Sequence, residues 1–246
     1  MATETSGGLA IVTGASRGIG RALAIGLAEA GYRLALVARD EDALSGVQAE
    51  ILGSGPGMAA SCHPLDVTDA AAVRDLVSGL AAGHEAIDVL VNNAGQFRPG
   101  SIEADVEDLD AVVRTNLKGA FLMLKAVVPV MKAQKRGHII NLSSITGKWG
   151  YAGYGIYAAS KFALQGLSES LYKEMLEHGV KVTAICPNWV ATEMAVAAGG
   201  TLPPEDMIQL DDLVRTVSWL LSLSKAACPR EVVIDCMGHP YDRNTQ

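Results

Sequence analysis

The sequence predicts a single-domain α/β protein, residues 1–246, built on a doubly wound, parallel, seven-stranded sheet. Three observations predict it. Seven short apolar runs alternate with stretches of helical periodicity, the order that gives a sheet with helices on both faces and right-handed crossovers. The runs are near-continuously apolar rather than alternating, as befits strands buried on both sides. A chain of 246 residues, 49% hydrophobic and 19% charged, can also bury the core such a sheet needs.

After a polar tail (1–7), Leu9–Thr13 reads as the first strand and Ile19–Ala30 as the first helix, its apolar face set by Ile19, Leu23 and Leu27. Leu34–Ala38 is a second strand, Asp40–Leu52 a helix, and Gly53–Gly57 a turn into a strand over Met58–Leu65. Asp69–Ala82 is a helix with an acidic first turn, and Val89–Asn92 the fourth strand. Val106–Met131 reads as one long helix or two abutting ones, with Pro129 expected to bend its end. His138–Leu142, Lys181–Ile185 and Glu231–Asp235 complete the sheet, with helices over Gly155–Glu177 and Leu210–Leu221 between them.

The formal net charge of -7 argues against a nucleic-acid surface, so an anion site must be local. No basic segment leads into an apolar stretch at the start, and no run is long enough to span a bilayer; a soluble, cytoplasmic protein is expected. Cys62, Cys186, Cys228 and Cys236 lack metal-ligand or redox spacing, so no metal site is expected.

The turn Thr13-Gly-Ala-Ser-Arg-Gly-Ile-Gly20 lies where strand becomes helix, the place at which exposed amides and the helix dipole favour a pyrophosphate. Its spacing is G-x-x-x-G-x-G, with Gly14, Gly18 and Gly20 allowing close approach and Ser16, Arg17 and Ile19 between them. The second strand ends Val37-Ala38-Arg39-Asp40. Asp40 has the spacing of a ribose-binding carboxylate but also stands where it caps the next helix, whereas Arg39 and Arg17 suit a 2′-phosphate. NADP(H) is therefore predicted over NAD(H). Tyr157 and Lys161, four apart on one helix, place an ammonium beside a phenol, and a nearby cation is expected to lower the phenol's pKa.

These residues, with Asn92-Asn-Ala-Gly95, Asn116 and Ser144, resemble the short-chain dehydrogenases/reductases over most of the chain. Ser144 lies thirteen positions before Tyr157, which singles it out over Ser143. The resemblance implies a Rossmann-type fold and an oxidoreductase that moves a hydride between NADP(H) and a ketone, 3-oxoacyl group or secondary alcohol. It implies Tyr157 as general acid or base, Lys161 tuning it and holding the nicotinamide ribose, and Ser144 bonding the substrate oxygen. Asn116 would hold a water linking Lys161 to solvent. Asp66, with Val67 after it, resembles the adenine-contacting position, although Asp66 also reads as a helix cap. Asn93, Ala94 and Gly95 would lie against the cofactor. Pro187, Val190 and Thr192 resemble the segment that holds the carboxamide, with Asn188 in place of the family's glycine.

Trp149, Tyr151, Tyr154 and Trp189 read either as walls of an apolar substrate pocket or as core and subunit contacts. Residues 193–209, rich in small side chains, read as a substrate-side flap or a plain surface loop. By resemblance to family members that take acyl groups on a carrier protein, Lys132, Lys135, Arg136 and His178 read as basic residues for such a protein beside the entrance, or as solvated helix ends. The long helices imply, by resemblance, a homodimer or homotetramer. Two other readings fit the same residues: an NAD(H)-dependent alcohol dehydrogenase, and a slowly turning NADP(H)-binding sensor.

Overall fold

The structure, a computed structural model, describes residues 7–84, 86–200 and 202–237; most of the expected polar tail lies outside them. Seven parallel strands form one sheet in the order β3-β2-β1-β4-β5-β6-β7. The strands are β1 Leu9–Thr13, β2 Arg33–Ala38, β3 Ala60–Pro64, β4 Ile87–Asn92, β5 His138–Leu142, β6 Lys181–Pro187 and β7 Glu231–Ile234. The eight helices among the described residues are α1 Gly18–Glu29, α2 Glu41–Gly53, α3 Ala70–Gly83, α4 Val106–Val113, α5 Ala120–Gln134, α6 Gly155–Met175, α7 Glu193–Ala197 and α8 Leu210–Ser222.

Each face of the sheet has its own core. Leu23 and Leu27 of α1, Leu44 and Ile51 of α2, and Leu213 and Leu220 of α8 pack on one side. Val73 and Val77 of α3, Met123 and Val127 of α5, and Leu171 of α6 pack on the other. Central strands touched by both layers have no polar face, which is why their sequences lack alternation. Among the described residues no helix is long and apolar enough to cross a membrane.

The region read as one helix or two abutting ones is α4 and α5 joined by a π-helical turn, Arg114–Gly119. Its wider coil carries Asn116 inward, and such turns recur at functional sites. Pro129 lies inside α5, which runs on to Gln134. The order of strands reverses between β1 and β4, so the loops leaving them diverge and open a crevice at the carboxyl ends of the strands.

Candidate active site

Two loops meet at that crevice. Gly14 and Gly18 have φ of 65° and 53°, the left-handed region that favours glycine. A Cβ on Gly20 would sit 2.1 Å from the Gly14 carbonyl oxygen, so the turn closes too tightly for any side chain there. Asn93 donates from Nδ2 to the carbonyls of Thr13 (3.0 Å) and Gly14 (3.2 Å), tying the β4 exit to the β1 exit. Thr13 Oγ1 accepts from the amides of Asn93 and Ala94, both at 3.0 Å. Thr13 opens the glycine-turn motif, but neither that nor its place at the end of an apolar strand gave its hydroxyl a role. Asn93 and Ala94 thus lie against the glycine turn, and Gly95 lies beside Asn116, whose Oδ1 a Cβ there would approach to 3.3 Å.

Arg17 is the N-cap of α1 and makes no side-chain capping bond, while its guanidinium lies 3.7 Å from Glu193 of α7. Ser16 is half-buried in the same turn. Asp40 caps α2 by accepting from the Ala43 amide at 3.0 Å, which accounts for it without a ligand. Arg39 is exposed at the end of β2. Asp66 does not cap α3; Asp69 does, accepting from Ala71 and Ala72. Asp66 instead accepts from the Thr68 amide at 2.9 Å. Partial burial pushes its carboxyl up, but hydrogen bonds from Thr68 and the Arg39 and Arg114 guanidiniums outweigh this and hold it below the usual range. Val67 packs against the π turn, where a Cβ on Gly119 would come within 2.6 Å of it. The uncapped helix end, the glycine turn and the cations Arg17 and Arg39 together fit a polyanionic dinucleotide.

Ser144 caps a short turn after β5, accepting from the Thr146 amide at 3.2 Å, and Tyr157 comes in from the first turn of α6 to line one cleft with it. Ser143 donates to the Lys161 carbonyl at 3.3 Å. Lys161 is 5% exposed; its ammonium donates to the Leu142 carbonyl at 2.8 Å and lies 5.6 Å from the centre of the Tyr157 ring. The expected acidification of Tyr157 is corrected here. Burial of the hydroxyl raises its pKa to about 12, opposed only by the Ser144 hydrogen bond. Burial also lowers Lys161 to about 8. Desolvation is the largest cause of both shifts.

Asn116 is 1% exposed, so it is no solvent-facing amide. Its Oδ1 accepts from the Gln96 amide (2.8 Å), and its Nδ2 donates to the Gln96 carbonyl (2.9 Å) and to Ser160 Oγ (3.1 Å). It therefore joins the β4 exit loop to the residue preceding Lys161.

Above Ser144 and Tyr157 opens a cleft of about 120 Å³. Ile19 and Thr192 border it on the side of the glycine turn, and Pro187 and Val190 on the side of β6. Tyr151, Tyr154 and Trp189 line it as expected, but Trp149 does not: it is 53% exposed outside it. Phe97, which no motif marked, replaces it, with its ring edge-on to Tyr157 at 5.3 Å. Asn188 does not take the left-handed backbone that a glycine substitute suggests; among the described residues only Lys135 does so without being glycine. Its side chain instead accepts from the Trp189 amide at 2.9 Å and bonds Asp235. Met194, Ala195 and Ala198 bring residues 193–209 to the cleft, and Tyr154 Oη donates to the Ala198 carbonyl at 2.8 Å.

Lys132, Lys135 and Arg136 precede β5, and His178 precedes β6, so in a parallel sheet they lie at the opposite end from this cleft. Arg136 pairs there with Asp88 at 3.2 Å and His178 approaches Glu177 at 3.4 Å. The expectation that they flank the entrance is not met within one chain. Among the described residues no group of three or more His, Cys, Asp or Glu is placed to hold a metal ion.

Comparison with known proteins agrees with this geometry. Residues 8–201 match the family described as short chain dehydrogenase. The 3-oxoacyl-[acyl-carrier-protein] reductase FabG of Staphylococcus aureus is 35% identical over 223 residues, spanning 87% of this chain and 90% of that protein. The 3-oxoacyl-[acyl-carrier-protein] reductase of Synechocystis is 38% identical over 215 residues, spanning 87% and 85%. Among solved structures, a betaketoacyl-[ACP] reductase (FabG) from Bacteroides thetaiotaomicron superposes with a TM-score of 0.84 at 40% identity, covering 95% of this chain and 98% of that one. A metagenomic short-chain oxidoreductase in complex with NADP gives 0.82 at 36%, covering 96% and 100%. With a doubly wound sheet, a glycine turn at the switch point and Ser144 beside Tyr157 in one cleft, the chain belongs to the short-chain dehydrogenase family.

Proposed function

We propose that the protein is an NADP(H)-dependent carbonyl reductase that interconverts a ketone and its secondary alcohol, with Tyr157 as the general acid. The observation that carries this reading is that Ser144 and Tyr157 line one cleft that also opens onto Ile19 of the glycine turn. Gly14, Ser16, Gly18 and Gly20 would line the pyrophosphate, and Arg17 and Arg39 the 2′-phosphate. Asp66 and Val67 would lie by the adenine, Asn93, Ala94 and Gly95 along the cofactor, and Pro187, Val190 and Thr192 by the carboxamide. The bound nicotinamide supplies the hydride. The NADP complex of the 36%-identical metagenomic relative supports this choice of cofactor.

Ser144 and Tyr157 share the cleft, and their hydroxyls would stabilise the charge that develops on a substrate carbonyl oxygen bound there. A phenol with pKa raised to about 12 is protonated at neutral pH. It can therefore donate in the reductive direction, whereas its use as a base would require a phenolate that burial disfavours. Lys161, with pKa lowered to about 8, is still largely protonated at neutral pH and keeps a cation behind that phenol. Asn116 positions α6 through Ser160. Residues 193–209 would act as a flap held by the Tyr154–Ala198 bond.

The test is loss of reduced-nicotinamide absorbance with a panel of ketones and acyl thioesters, using NADPH and NADH in turn. Ketone-dependent oxidation of NADPH is expected. Tyr157→Phe should fold, bind NADPH and lose at least about a hundredfold in kcat. Near-normal turnover by that variant would remove Tyr157 from the mechanism.

A further inference from the structure

Among the described residues, no Asp, Glu, Lys, Arg or His lines the cleft. Its wall is instead a train of aromatic rings that starts at the proton donor. Phe97 meets Tyr157 at 5.3 Å with planes at 70°, and Tyr154 at 5.2 Å and 46°. Tyr154 then meets Trp189 at 6.3 Å and 81°. Phe97 leaves the end of β4, Tyr154 opens α6 and Trp189 follows β6, so three separate loops supply one surface.

The rings are held in place. Trp189 is fixed through its amide by Asn188 Oδ1 at 2.9 Å, and the Tyr154 hydroxyl donates to Ala198 at 2.8 Å. Met194, Ala195 and Ala198 also line the cleft and add only apolar surface to it. A charged substrate would leave its charge without a counter-ion in this cleft. A flexible alkyl chain would gain only buried area and would lose rotamer freedom. A flat ring gains edge-to-face or offset contacts with side chains that have little entropy left to lose.

We infer that the preferred substrate is an uncharged ketone with an aromatic ring next to the carbonyl, and that Phe97 and Trp189 determine this specificity. The inference rests on the carbonyl-reductase reading above. With NADPH fixed, the rates to compare are those for ethyl benzoylacetate, ethyl 3-oxohexanoate and 4-carboxyacetophenone. The neutral aryl ester should exceed the alkyl ester in kcat/KM by about tenfold, from one or two ring contacts, and should also exceed the carboxylate. In Phe97→Leu and in Trp189→Leu, the aryl-to-alkyl ratio should fall by about three- to tenfold.

Because a general disturbance of Tyr157 lowers both rates alike, a ratio unchanged in both variants overturns the specificity role. An alkyl ester or carboxylate turned over as well as the aryl ester overturns the substrate class while leaving the reductase reading intact. Failure to oxidise NADPH with any ketone overturns both.

Discussion

Tyr157 and Lys161 show how burial can reverse an expectation drawn from spacing. Four residues apart on α6 they are neighbours, yet Lys161 donates to the Leu142 carbonyl, and desolvation moves the phenol up and the ammonium down. With pKa values of about 12 and about 8, Lys161 is the group that titrates near working pH. The proton on Lys161 is present below about 8 and lost above it, so kcat/KM for ketone reduction should be flat at neutral pH and fall as pH rises past about 8. A rate profile should show that inflection, moved upward in Lys161→Arg because a guanidinium keeps its proton; an inflection at the same pH in both proteins would assign it elsewhere. Arg39 makes the second prediction at this scale. Its exposed guanidinium is the expected 2′-phosphate partner, so Arg39→Ala should weaken NADPH by about tenfold and leave NADH unchanged, read as dissociation constants by fluorescence.

The glycine turn and the helix it feeds behave as one rigid element. Gly20 is inside α1, where alanine would ordinarily favour the helix, but its Cβ would fall 2.1 Å from the Gly14 carbonyl and 2.5 Å from Asn93 Nδ2. Gly20→Ala should therefore cost about 1–3 kcal/mol, lower Tm by about 2–10 °C and weaken NADPH binding. Gly46, inside α2 with nothing within 4 Å of a Cβ, provides the opposite sign. Gly46→Ala should raise stability by about 0.5–1 kcal/mol by restricting the unfolded chain and favouring the helix. Paired thermal melts decide the point: equal changes in the two variants would show that contact at the turn is irrelevant. The π turn between α4 and α5 is a second such element. It seats Asn116 against Gln96 and Ser160, so the cleft's floor depends on a helix defect rather than on a regular helix.

At the scale of the molecule, the two layers of helices bury the central strands completely, and what they leave uncovered is instructive. Phe121 of α5 and Phe162 of α6 are each 46% exposed on long helices of the same face. We propose that these helices pair in a homodimer or homotetramer, which would cover that apolar surface. Light scattering should return a multiple of the 25.7 kDa chain, and Phe162→Glu should lower it; a monomer at micromolar concentration rejects this assembly. The basic residues Lys132, Lys135, Arg136 and His178 lie at the end of the sheet away from the cleft, a placement that follows from all strands being parallel. The carrier-protein form of substrate named for the Staphylococcus aureus relative therefore has no basic surface beside this chain's own cleft among these four residues.

Apolar runs and 3.6-residue spacing placed the central strands and the helices that cover them because burial on both faces writes itself locally, whereas β3 and β7 at the sheet edges are only partly buried. Motif spacing was enough to nominate Ser144, Tyr157 and Lys161 together, and the place of Asp40 before the second helix, not its spacing, marked it as a cap. Tertiary structure alone decided that Phe97 and not Trp149 walls the cleft, that Thr13 and Asn93 lock two loops together, and that the Tyr157 phenol is weakened rather than activated by its surroundings. Each of these depends on which loops meet across the ends of different strands and how much water they exclude. Contacts between residues eighty positions apart, like those of Thr13 with Asn93, leave no periodic trace in a sequence.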